Sequence, residues 1–165
     1  MENTAIQDII SSIESKYPSC AVTTDNYGMT NVVCSRESII DLVGHLKNDL
    51  GFGFLTDICG AHYPLIENQE FQVVYHMHNL YKNIRLRLKV NLATADLAIP
   101  TMVNLFSAAN WMERETFDFY GIQFEGHPDL RRILNMDDMD YHPLRKEYAL
   151  EDETRSDKKD SFFGR

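Results

Sequence analysis

"EFQVVYHMHNLYKNIRLRLKVNL", residues 70–92, is the stretch that decides the fold. In its second half Ile84, Leu86, Leu88 and Val90 alternate with Arg85, Arg87 and Lys89. That period of two belongs to a strand with one face on a core and the other in water. The first half is rich in strand formers (Phe71, Val73, Val74, Tyr75), and the short "YK" between the halves predicts a hairpin. An antiparallel sheet with one apolar face needs a cover, and helices elsewhere in the chain must supply it.

Upstream, Ile6, Ile9, Ile10 and Ile13 in "TAIQDIISSIESK" fall on one face of a predicted helix over residues 4–16. "CAVTT" and "NVVCS" read as short strands around the turn-forming "DNYG". Ser35 is the expected N-cap of a second helix, with an Ile39, Leu42, Val43, Leu46, Leu50 stripe and Gly51 ending it. "FGFLTDICGAHY" predicts a strand whose glycine marks a bend. Downstream, Pro100 suits the first turn of a helix running to about Tyr120, with Met102, Leu105, Phe106, Ala109, Met112 and Phe117 towards the sheet. The order α-β-β-α-β-β-β-α is that of an α+β domain with a mainly antiparallel sheet, residues 1–120.

From Gly121 the periodicity fades, prolines stand at 128 and 143, and charges dominate. Residues 121–165 therefore form an expected extended, irregular segment. Phe124, Leu130, Ile133, Leu134, Met136, Tyr141 and Leu144 are too many apolar residues for pure solvation, so burial on a partner is predicted. In the isolated chain the segment is expected to be mobile, and "EDETRSDKKDSFFGR" at 151–165 most of all.

The totals narrow the function. A chain of 165 residues with 44% hydrophobic and 25% charged residues is long enough for a buried core. No apolar run reaches the roughly 20 residues of a membrane span. The absence of a basic, apolar leader predicts a protein kept in the compartment where it is made. A net charge of -9 disfavours free nucleic acid and anionic membranes as partners. Cys20, Cys34 and Cys59 are scattered, with no C-x-x-C pair, which predicts reduced thiols and no zinc or iron–sulfur cage.

Metal and acid–base chemistry each have named candidates. His76 and His78 share a strand face, with His62 or Asp57 as further candidate ligands, but the spacing does not demand a metal. Asp137, Asp138 and Asp140 lack the glycine and distal acid of a calcium loop and read as a solvated or arginine-paired turn. Glu113 and Glu115 diverge on their helix, which suits separate anchors better than an acid–base pair; an Arg114–Asp118 pair at i+4 is the plain alternative. The two His-Pro segments, "HPDLRRIL" and "HPLRK", hold His127 and His142 on stiffened chain ahead of Asp129, Arg131, Arg132, Arg145 and Lys146. Arginine forks on an extended segment fit carboxylates across an interface. No nucleophile–base pair or phosphate-binding loop occurs, so the residues describe a binding module.

"ERETFDFYGIQFEGHPDLRRIL" closely resembles the signature of the 30-kDa subunit family of respiratory complex I, the NADH:quinone oxidoreductase, through Glu113, Arg114, Glu115, Asp118, Phe119, Tyr120, His127, Arg131, Ile133 and Leu134. "HPLRKEY" at 142–148 is similar to the family's second block, and the stretch before it lacks the tryptophan and glycine of many relatives. The resemblance covers roughly residues 50–150. It implies a non-catalytic peripheral-arm subunit of a proton-translocating complex, with no catalytic residue, metal or cofactor of its own. Flavin, iron–sulfur clusters and quinone would then sit in other subunits. The implied partners are the large quinone-site subunit, related to hydrogenase large subunits, and neighbouring iron–sulfur subunits. The implied location is the cytoplasmic face of the bacterial inner membrane. Tyr120 and the charged residues named above are its expected interface, with Arg131, Arg132 and Arg145 meeting partner carboxylates and Glu113 and Glu115 anchoring the helix end. An equivalent subunit of a ferredoxin- or deazaflavin-dependent dehydrogenase or of a membrane-bound hydrogenase is the near alternative. A metal-dependent hydrolase using His76, His78 and the Asp137–Asp140 acids is the distant one.

Overall fold

The computed structural model describes residues 2–148; the expectation for 151–165 lies outside the described residues. Three helices and seven strands follow in the order α1 (Glu2–Lys16), β1 (Ala21–Thr24), β2 (Thr30–Cys34), α2 (Ile39–Asn48), β3 (Phe54–His62), β4 (Phe71–Asn79), β5 (Ile84–Leu92), β6 (Ala98–Pro100), α3 (Ala109–Tyr120) and β7 (Gln123–Glu125). The first five strands form one sheet in the order β1-β2-β5-β4-β3. Every neighbouring pair is antiparallel except β2 and β5, which run parallel. The α+β architecture with a mainly antiparallel sheet is thus the one the sequence predicts.

The hairpin at its centre is closed by Leu80–Asn83, with Asn79 paired to Ile84. Asn83 takes φ 51, the left-handed value that asparagine tolerates at a turn. Asn79 accepts the Lys82 N–H through Oδ1 at 3.0 Å and donates to the Leu50 carbonyl at 2.9 Å, fixing the loop to the end of α2. The alternation on β5 sends Ile84, Leu86, Leu88 and Val90 inward. There they join Ile9 and Ile13 of α1 and Leu42, Val43 and Leu46 of α2 in one buried cluster. Tyr75, Phe52 and Phe71 are its largest fully buried side chains.

Four expectations change. The α2 helix begins at Ile39, after a turn in which the Ser38 amide and hydroxyl donate to the Ser35 carbonyl; Ser35 itself is not the cap. Gly60 marks a close approach and not a bend, because a Cβ there would stand 2.5 Å from the Tyr120 ring. The irregularity of β3 falls between Leu55 and Asp57 instead. The last helix starts at Ala109, nine residues after Pro100, because Ile99 and Pro100 are drawn into β6, which pairs in parallel with β7. Ile122 and Phe124 are buried in the main core, so the folded core continues past Tyr120.

Candidate partner-docking site

Residues 109–148 make a structure in which α3 is the post and the chain after it is the wrap. The helix "ANWMERETFDFY" buries Glu113, Arg114, Thr116 and Asp118 along with Ala109, while Met112 and Phe117, expected towards the sheet, are only half-buried. Burying charge is costly unless each group is fully paired. Each of these charges has its partners.

At the N-terminal half, Glu113 holds the preceding turn. Thr101 Oγ1 donates to Glu113 Oε2 at 2.5 Å, and the Met102 N–H donates to Oε1 at 2.6 Å. Burial pushes the Glu113 carboxyl up to about 7, against the pull of those two donors. His127 Nε2 lies 4.0 Å from Glu113, with both side chains fully buried. It donates to the Asn110 carbonyl at 3.1 Å, while Nδ1 accepts the Asp129 N–H at 3.0 Å. The first His-Pro segment is thereby stitched to the helix start.

The C-terminal half is organised by Asp118. Its Oδ2 accepts the amides of Ile133, Leu134 and Asn135 at 3.1, 2.8 and 2.9 Å. Its Oδ1 accepts Arg132 Nη1 at 2.7 Å and Asn135 Nδ2 at 3.1 Å. Burial alone would raise this carboxyl, but the backbone donors and the guanidinium outweigh it and hold it far below the ordinary range. Arg132 then bridges onward, donating through Nη2 to the carbonyls of Met139 at 2.7 Å and Tyr141 at 2.9 Å.

The last carbonyls of a helix lack intrahelical donors, and the chain after α3 supplies them. His142 and Arg132 donate to the Asp118 carbonyl, the Leu144 N–H to that of Phe119, and Arg145 Nε to that of Tyr120. Cations are favoured at this end of a helix dipole. Gly121 makes the fit possible: it sits at φ 76, and a Cβ there would stand 2.5 Å from Arg145 and 2.6 Å from His142. Arg145 also lies over Phe71, 5.1 Å from its centroid, and the Lys146 N–H reaches His62 Nδ1 at 2.9 Å.

These contacts revise several expected roles. Arg132, expected to meet partner carboxylates, satisfies its fork within the chain, whereas Arg145 gives its Nε to the Tyr120 carbonyl and brings Nη1 to 3.7 Å from Glu147. Arg114 does not pair with Asp118; it donates to the carbonyls of Arg131 and Arg132 at 3.2 and 3.0 Å, because Asp118 is already saturated. Glu115 is exposed and anchors nothing among the described residues, whereas Asp118 does the anchoring. Asp129 and Arg131 are exposed and pair with each other at 2.9 Å. Tyr120 is half-buried against Gly60, and Lys146 remains exposed. Trp111 of α3 and Leu134, Met136, Tyr141, Leu144 and Tyr148 of the wrap are all exposed. The fastening roles of Thr101, His62 and Asn135 escape a reading of the sequence, since nothing in their local spacing distinguishes them from ordinary polar residues.

His76 Nε2 accepts from Arg87 Nε at 2.9 Å, and His78 is bonded to Asn83. Among the described residues no group of three or more His, Cys, Asp and Glu side chains gathers to hold a metal. Asp137, Asp138 and Asp140 lie at the surface, with Asp137 and Asp138 in a turn closed by the Met139 N–H on the Met136 carbonyl.

The family model for the respiratory-chain NADH dehydrogenase 30-kDa subunit matches residues 32–154. The chain belongs to that family. A related NADH-quinone oxidoreductase subunit from Geobacter sulfurreducens is 41% identical over 124 residues, covering 75% of this chain and 76% of that protein. Its counterpart from Hyphomonas neptunium is 38% identical over 153 residues, covering 91% and 75%. Among solved structures, the trypsin-resistant fragment (1-134) of Nqo5 superposes with a TM-score of 0.69 at 31% identity, over 76% of this chain and 99% of the fragment. An archaeal membrane-bound sulfane sulfur reductase complex contains a chain of the same fold, with a TM-score of 0.75 at 23% identity over 87% of this chain and 85% of that one. Of the residues that carry the resemblance, Glu113, Arg114, Asp118 and His127 make the side-chain hydrogen bonds that tie α3 to the chain around it. No helix of the described residues is long and apolar enough to cross a membrane.

Proposed function

We propose that this chain is a non-catalytic peripheral-arm subunit of proton-translocating NADH:quinone oxidoreductase, and that it scaffolds the large quinone-site subunit during electron transfer from NADH to quinone. Family membership supports the complex, and the Asp118 node supports the scaffold role. By gathering three amides, an amide side chain and Arg132, Asp118 turns an aperiodic segment into a fixed ledge. That ledge presents Leu134, Met136 and Tyr141 to a partner with little ordering left to do, which is the advantage of preorganisation. In this reading the chain carries no redox centre. Flavin, iron–sulfur clusters and quinone belong to other subunits, and the chain is peripheral on the cytoplasmic face of the bacterial inner membrane.

The test is a Leu134→Asp, Met136→Asp double variant, compared by native-gel yield of the complex and by NADH:quinone turnover per assembled flavin. Yield is expected to fall while turnover per particle stays normal and the isolated chain melts as before. Normal yield with collapsed turnover would reject the scaffold reading. Iron or flavin in stoichiometric amount in the pure chain would reject the absence of a redox centre. The subunits that co-purify separate this complex from a ferredoxin- or deazaflavin-dependent relative.

A further inference from the structure

The helices pack on one face of the central sheet only; on the other, Val74 is buried, Gln72, His76, His78, Arg87 and Lys89 are half-buried and Arg85 is exposed. Every helix buries its apolar residues with the inward positions of the strands, in one cluster that excludes Val74. Val74 belongs to the opposite face, where β4 presents Gln72, Val74, His76 and His78 beside Arg85, Arg87 and Lys89 of β5. A wet face is ordinary for an antiparallel sheet. The sign of this one is not ordinary for a chain of net charge -9.

Two acids at its margin are already engaged. Asp25 lies 3.5 Å from Arg87 Nη1, and Asp57 lies 3.7 Å from His76 Nδ1. Arg87 is fixed between them, donating to His76 at 2.9 Å and to the buried Asn31 at 3.3 Å. This polar belt runs across β3, β4, β5 and β2. Arg85 and Lys89 flank it on the same strand, two residues from Arg87 on either side, and neither forms an ion pair among the described residues. Successive same-face positions on a strand stand about 7 Å apart, so the three cations follow one another in a row in mid-sheet.

We infer that this helix-free sheet face is a second protein-docking surface, opposite the wrap, fitted to an acidic surface of a neighbouring subunit. Elsewhere the chain's negative charge repels such a surface, so the cationic row also fixes the side from which the partner approaches. Because the wrap lies on the other side of the sheet, both surfaces are usable at once. The inference rests on the proposed assembly into a respiratory complex.

The experiment compares amine acylation of Lys89 in the intact complex and in the isolated chain, by peptide mass spectrometry. The expected result is at least tenfold slower labelling in the complex, with a zero-length carbodiimide joining Lys89 to an aspartate or glutamate of another subunit. An Arg85→Glu, Lys89→Glu variant is expected to lower assembly several-fold while the isolated chain keeps its melting temperature. Equal labelling of Lys89 in both states, with the chain present in the complex, overturns this inference and leaves the scaffold reading standing. Protection that disappears when anionic vesicles are replaced by detergent would assign the row to lipid headgroups, and overturns it too. A chain that never appears in the complex overturns both readings.

Discussion

Asp118 and Arg132 meet at 2.7 Å across the junction between the last helix and the segment that follows it, with the carboxylate fully buried. Fourteen residues apart in sequence, they are the point at which the chain stops running away from the domain and turns back over it. Removing one partner of such a buried pair leaves the other desolvated, at a cost of about 3–5 kcal/mol. Asp118→Ala is therefore expected to lower the stability of the isolated chain by that order. It should also expose the amides of Ile133, Leu134 and Asn135 to hydrogen exchange. Urea unfolding and exchange mass spectrometry check the two effects separately.

Acid should act through the same carboxylate. Its folded value lies below the ordinary 3.8, so its contribution is full above that pH and is lost as pH falls further. The wild-type wrap is expected to loosen at pH 3 and below. In Asp118→Asn that component should already be missing at neutral pH, with a flatter acid limb in urea midpoints.

Glu113 has the opposite sign. Burial raises it to about 7, from 4.5, so the folded state holds a proton that the unfolded state has released. Stability is expected to decline as pH rises from 4.5 and to level off above 7, by roughly 3 kcal/mol in all. Glu113→Gln, which keeps an acceptor for the Met102 amide, should flatten that decline. Midpoints measured at pH 5 and pH 8 for both proteins test it.

Two neighbouring arginines should separate. Arg131→Ala removes an exposed pair with Asp129 and is expected to change the isolated chain by less than about 1 kcal/mol. Arg132→Ala releases Asp118 and the carbonyls of Met139 and Tyr141, and should increase exchange throughout residues 132–142. Identical exchange maps for the two variants would show that the Asp118 node does not hold the wrap.

Gly121→Ala should cost more than Gly28→Ala. Both glycines have positive φ, but Gly28 faces open space, whereas a Cβ at Gly121 runs into Arg145 and His142. The expected costs are about 1 kcal/mol for Gly28 and clearly more for Gly121, read from thermal melts.

The features legible in the sequence alone are those written in local periodicity. The alternation of Ile84 to Val90 with Arg85 to Lys89 fixes β5, its inward face and its wet face, because side chains on a strand alternate whatever surrounds it. The apolar stripe of α2 and the hairpin at Leu80–Asn83 are legible for the same reason. The "ERE…HPDLRRIL" pattern marks the family, although it does not reveal what its charges do. Spacing puts Glu113 on one side of a helix and Glu115 with Asp118 on another; which of them is buried depends on where the helix lies. Packing in three dimensions makes Asp118 and not Glu115 the anchor, since only Asp118 faces the returning chain. It also creates the β6–β7 pairing, because parallel partners at residues 98–100 and 123–125 leave no hairpin signal. Finally it turns Arg132 and Arg145 inward, because the unsatisfied carbonyls at the end of α3 supply acceptors that no sequence window displays.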